Sequence, residues 1–65
     1  MNFFWAFGEL LKGNKVKSKT FGCGALRMAV KKEWGADIET IVDKNNDEVN
    51  ITRGMFLDDW EIVDD

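Results

Sequence analysis

The residues best suited to chemistry lie in one short run. Lys15, Lys17 and Lys19 alternate with Val16, Ser18 and Thr20 and lead to Phe21. At strand spacing the three lysines and Phe21 project from one side, and Val16, Ser18 and Thr20 from the other. Cations beside an aromatic ring can neutralise a phosphate and stack a base, and protein interfaces use the same pieces. Gly22 and Gly24 then bracket Cys23 in an expected turn, where backbone can approach a ligand closely.

Groups for covalent or acid-base chemistry are scarce. The chain has no histidine to move a proton, Ser18 is its only serine, and Cys23 has no histidine to activate it. Cys23 is expected as a small buried thiol, although a basic field would lower its pKa. Asp58 and Asp59 are adjacent, and neighbours on a strand point to opposite faces, so without a turn they cannot converge as an acid and base pair. They read mainly as solvated turn residues. Gly13, Asn14 and Lys15 lack the spacing of a phosphate-binding P-loop. A lone cysteine rules out an intrachain disulfide, and a zinc site without histidine would be carboxylate-rich and unusual. No catalytic residue, metal or cofactor is expected, and the chain reads as a binding protein rather than an enzyme.

Something must position these residues in a single small domain, residues 1–65. A chain of 65 residues buries only about 60% of its unfolded surface, which makes oligomerisation the natural supplement to its core. Its hydrophobic fraction of 45% is that of a globular protein. The longest apolar run is too short to cross a membrane, and no basic residue precedes the N-terminal aromatics as a signal peptide would require. Cytoplasmic placement and no membrane contact are therefore expected. The net charge of −3 hides a split: residues 1–32 carry seven cations against Glu9, whereas residues 33–65 carry eleven carboxylates against Lys44 and Arg53. An acidic total argues against coating a long nucleic acid. A small anion needs only two or three cations, which the basic half can supply. The plainer reading is that the two halves neutralise each other across the fold.

Periodicity gives one helix followed by small strands. Asn2 is the expected N-cap of a helix over residues 3–12, with Phe3, Phe4, Ala6, Phe7, Leu10 and Leu11 on a broad apolar stripe and Gly13 as a left-handed stop. Trp5 falls on the opposite face beside Glu9 and Lys12, as a subunit contact, a ligand platform or a ring covered by its own chain. Residues 25–34 are ambiguous. Strand parity aligns Leu26, Met28 and Val30, helical spacing aligns Leu26, Ala29, Val30 and Trp34 before Gly35, and local propensity leans to helix. Residues 38–42 are strand-like, residues 44–47 a turn, and residues 49–52 the returning arm of a hairpin. A short turn over residues 54–57, which can be helical, precedes a closing strand over residues 60–63, with Trp60 and Ile62 on one side.

Phe3, Ala6, Leu10, Gly13 and Val16, a basic strand ending at Phe21, and the closing Asp58, Asp59, Trp60, Glu61, Ile62 and Val63 resemble a small phage domain family typified by the second Thoeris anti-defence protein. The likeness covers both ends of the chain and sets the middle only loosely. Ser18 stands where that family tends to carry an arginine, and Phe21 where it carries a tryptophan. The middle is also shorter than in many members.

The resemblance implies an α+β domain, an N-terminal helix packed on a small antiparallel β-sheet, and it moves residues 25–31 from helix to strand. It also implies a homo-oligomer, with a tetramer favoured, that sequesters cyclic nucleotide immune signals without cleaving them. Such ligands include cyclic ADP-ribose isomers and, in some members, cyclic oligonucleotides. On that basis Phe21 is expected to stack, Lys17, Lys19 and Arg27 to face phosphate, Asp59 to join the ligand site, and Phe4 and Trp5 to lie at an interface. The expected setting is the cytoplasm of a phage's host cell. Two alternatives stand beside it. One is an anti-CRISPR-type inhibitor whose acidic second half imitates nucleic acid against a host defence protein, and the other is a small accessory phage protein.

Overall fold

The computed structural model describes residues 1–22 and 24–63, so the expectation for Cys23 lies outside the described residues. Helix α1 spans Phe3–Leu11, and the Asn2 side-chain oxygen accepts the Trp5 N–H at 3.0 Å, as an N-cap should. At the other end Gly13 takes φ +93°. Its N–H donates to the Leu10 carbonyl and the Asn14 N–H to the Glu9 carbonyl, both at 3.0 Å, which closes the helix as a Schellman motif. Phe3, Ala6 and Leu10 form the buried stripe of α1. Phe4 and Leu11, at the margins of the expected stripe, stay exposed.

Strands β1 (Val16–Ser18), β2 (Arg27–Glu33), β3 (Ala36–Val42) and β4 (Trp60–Ile62) complete the α+β fold in two small antiparallel sheets. In the first, β1 pairs with β4, Ser18 opposite Trp60 and Val16 opposite Ile62. The second is a β2–β3 hairpin running from Glu33 opposite Ala36 to Arg27 opposite Val42. A bridge joins them: Val16 and Leu26 exchange both backbone hydrogen bonds, at 3.0 and 2.7 Å. One face of the joined strands supports α1, and the shared core contains Phe3, Ala6, Leu10, Val16, Leu26, Ile41, Met55 and Trp60.

Trp60 is the largest of these side chains, and its Nε1–H donates to the Met55 carbonyl at 2.7 Å. That bond fixes the short 3-10 helix Arg53–Met55, whose Met55 is buried under the core. The chain start is tied to the same place. The Met1 amino group donates to the Asp58 carbonyl at 2.7 Å, and the Trp60 N–H returns to the Met1 carbonyl at 2.9 Å.

Three points are decided by the fold. Residues 25–34 supply a strand, as the resemblance implies for residues 25–31, because β2 gains a complete backbone partner in β3 that helix propensity cannot offset. The main hairpin is therefore β2–β3, joined by Trp34 and Gly35, and not residues 38–42 with residues 49–52. A turn does form at residues 43–47, where the Asp43 side chain accepts the Asn45 and Asp47 N–H groups at 2.8 and 3.1 Å. Beyond it only the Val42–Glu48 bridge and one bond from the Val49 N–H to the Ile41 carbonyl continue the pairing.

The third point concerns Phe21. The basic strand stops at Ser18, because the Ser18 hydroxyl turns to accept the Phe21 N–H at 3.1 Å and bends the chain. Phe21 thereby leaves the lysine face and lies against Trp60, ring centroids 5.8 Å apart. Trp5 is half-buried and packs against the core from the side of its own chain.

Candidate functional site

The bridge between Val16 and Leu26 decides which cations meet. Val16 and Leu26 point into the core, so the flanking Lys15 and Arg27 share the outer face as cross-strand neighbours. The turn after β3 brings Lys44 to the same place. Lys15, Arg27 and Lys44, with Ala25 and Asp43, line a cavity of about 200 Å³. Gly24, with φ +76°, leads the chain into its rim beside the aliphatic stem of Lys44.

Arg27 is held in place by its loop. Its guanidinium donates to the Asn46 side-chain oxygen, and Asn46 itself takes φ +69° in the turn. The Asp43 carboxylate has one oxygen engaged by two backbone N–H groups of that turn. The cavity thus gathers three cationic side chains around one partly engaged carboxylate. Chemically it suits a phosphate or another compact anion, with Arg27 positioned for paired hydrogen bonds and the lysines as point charges.

Of the residues expected at the ligand site, only Arg27 lines this cavity. Lys17 shares the outer face of β1 but leans toward β4, where its Nζ lies 3.7 Å from the Glu61 carboxylate directly across the ladder. Lys19 is exposed in the bend after β1, and Phe21 is half-buried on the core side. Lys15 belonged to the basic run, but its partnership with Arg27 and Lys44 depends on strand pairing and on a turn 29 residues further on. No local spacing announces that meeting.

Asp59 is not a freely solvated turn residue. Its carboxylate accepts the Ser18 hydroxyl, the Thr20 hydroxyl at 2.7 Å and the Thr20 N–H at 3.1 Å. The Ser18 hydroxyl, followed by Thr20, holds the Asp59 carboxyl below its ordinary pKa. Glu9 is lowered as well, first by the Asn14 amide at 2.9 Å and then by Lys12 at 3.4 Å. Both carboxylates shape loops beside the helix and β1.

A second feature lies on the helix side. Phe4 is 75% exposed and packs against Phe56, centroids 5.8 Å apart, with Ile51 and Leu11 also exposed nearby. Two adjoining concavities of about 330 and 390 Å³ share Phe7 and Ile51 and together make an apolar groove along α1. Among the described residues no helix is long and apolar enough to cross a membrane. No family model matches the sequence, and no curated protein or solved structure is significantly similar to it.

Proposed function

We propose that this protein binds and sequesters a small anionic ligand of the cyclic nucleotide class, without cleaving it. The observation that carries the reading is the convergence of Lys15, Arg27 and Lys44 on one cavity. At about 200 Å³ the cavity is smaller than the ~300–1,000 Å³ usual for a whole drug-sized ligand, so it accommodates a phosphate and part of its sugar. The rest of the ligand needs a neighbouring subunit as its second wall, in keeping with the homo-oligomer, tetramer favoured, that the sequence resemblance implies. The ring contact expected of Phe21 and the phosphate contacts expected of Lys17 and Lys19 are not assigned to this cavity, because Phe21 lies on the core side against Trp60 and Lys17 beside Glu61.

The resemblance to phage anti-defence domains supports this reading through its two ends. The setting proposed is accordingly the cytoplasm of a phage-infected host. The competing reading, an acidic mimic of nucleic acid, requires an unbroken carboxylate surface. Lys17 beside Glu61 and Lys31, 3.3 Å from Glu48, interrupt it.

Titration calorimetry with cyclic ADP-ribose isomers and cyclic di- and trinucleotides tests the proposal. Saturable binding that Arg27→Ala weakens by about tenfold or more, the loss of one charge-assisted hydrogen bond, supports it. Absence of binding to every one of these ligands at high micromolar concentration overturns it.

A further inference from the structure

The β2–β3 hairpin projects from the fold with an unusual tip. Trp34 and Gly35 form its two-residue connection with φ +55° and +77°, the signs of a type I′ turn. Asparagine, aspartate or glycine ordinarily holds the first of these positions, whereas a bulky side chain there is an outlier. The Trp34 side chain is 100% exposed. Seven paired residues make each arm about 23 Å long, and only the base of the hairpin reaches the core, through Met28, Ile41 and Val42. The fold therefore holds a large ring in a strained conformation away from its own core.

The same molecule leaves an apolar groove without an occupant of its own chain. One of its two sections is lined by Phe3, Phe4, Phe7, Ile51 and Phe56 and by no polar residue. The other adjoins it at Phe7 and Ile51 and adds Glu39, Thr40 and Asn50 to an otherwise apolar lining. An occupant of the section between Phe4, Ile51 and Phe56 must be apolar. The hairpin tip meets this requirement, and its charged residues, Lys31, Lys32, Glu33 and Asp37, sum to zero, so no net repulsion opposes its entry.

We propose that two copies of this chain pair about a twofold axis, each inserting Trp34 into the groove of the other between Phe4, Ile51 and Phe56. A tryptophan buries ~150–250 Å². Two such rings with equal areas of groove wall bury ~600–1,000 Å², the size of a weak, reversible pairing that forms at micromolar concentration. Reciprocal insertion closes the assembly, because each copy gives one tip and receives one. The pairing rests on the self-association in the reading above and not on its ligand. Measured without nucleotide, its failure leaves nucleotide binding standing, and the failure of nucleotide binding leaves the pairing standing.

Sedimentation equilibrium of the full chain from low to high micromolar concentration provides the test. The wild type is expected as a dimer, or as a closed tetramer of two such pairs. Trp34→Asn suits the turn better than tryptophan, so the variant folds, and its dissociation constant is expected to rise at least tenfold. Phe4→Ser removes an exposed groove wall and should have the same effect. An equimolar mixture of the two variants, which keeps one intact tip and one intact groove, should recover part of the association. A wild type that stays monomeric, a Trp34→Asn variant that associates like the wild type, or a mass that climbs without limit as open chains would each overturn the pairing.

Discussion

The Ser18 hydroxyl donates to the Asp59 carboxylate across the end of the β1–β4 pair, and the same hydroxyl accepts the Phe21 N–H. One side chain thus ends β1, fixes the loop that carries Phe21 and holds Asp59 ionised. With Thr20 adding two more hydrogen bonds to that carboxylate, the bend after β1 is built from side chains rather than from a strand ladder.

A pH dependence follows from this arrangement. The Asp59 pKa in the folded protein lies below its ordinary value of 3.8. Its contribution to stability is complete above that ordinary value and is lost as pH falls through the lower, folded-state value. Glu9, lowered from 4.5, acts in the same direction. The melting temperature should therefore hold near neutral pH and fall in acid below about pH 4. Asp59→Asn should lower it at pH 7 and flatten the acid limb, as thermal unfolding followed by circular dichroism would show. An unchanged acid limb in Asp59→Asn would place the acid sensitivity elsewhere.

The Trp60 indole is the costliest core group to alter. Trp60→Phe keeps a ring but leaves the Met55 carbonyl, at 2.7 Å from Nε1, without its donor. An orphaned buried polar group costs ~1–3 kcal/mol, and the lost ring volume adds to it. In a domain of 65 residues that is a large share of the total, and urea unfolding should show a lower midpoint with an unchanged slope.

Phe21 packs on Trp60 at the edge of the core. Phe21→Ala should lower stability by about 1–2 kcal/mol, less than the loss of a fully buried phenylalanine, because the ring is half-buried on Trp60. In calorimetry the same variant should leave the affinity for a cyclic nucleotide unchanged, since Phe21 does not line the cation cavity. A selective loss of nucleotide affinity would give the ring a ligand contact.

Trp34→Asn should raise the stability of the monomer. A left-handed backbone at a non-glycine residue costs ~1–3 kcal/mol, and asparagine before Gly35 in a type I′ turn recovers part of that cost because it tolerates this conformation better than tryptophan. Thermal unfolding at a concentration too low for association checks this. A stability gain combined with weaker association is the signature of a residue kept for contact rather than for folding.

The parts of the fold legible in the sequence are the local ones. Asn2, the Phe3, Ala6 and Leu10 stripe and Gly13 specify α1 through caps and spacing that act within a few residues. Residues 25–34 satisfied helical and strand spacing alike, and only pairing with β3 separates the two. The hairpin escaped notice because its turn begins with tryptophan, whereas the asparagine-rich stretch at residues 44–47 carries a conventional turn signal and does form a turn, with little strand beyond it. The cation cavity was half legible. Lys15 and Arg27 belong to the basic half, but Lys44 comes from the acidic half, and only the Val16–Leu26 bridge and the Asp43 turn bring the three together.

The most direct test of anion capture by Lys15, Arg27 and Lys44 is calorimetric titration of the wild type and of Arg27→Ala with the same cyclic nucleotides, at low and at elevated salt. The account predicts saturable binding to at least one of them, weakened by salt and reduced about tenfold or more in Arg27→Ala. No binding to any of them, or binding that Arg27→Ala leaves unchanged, would contradict it.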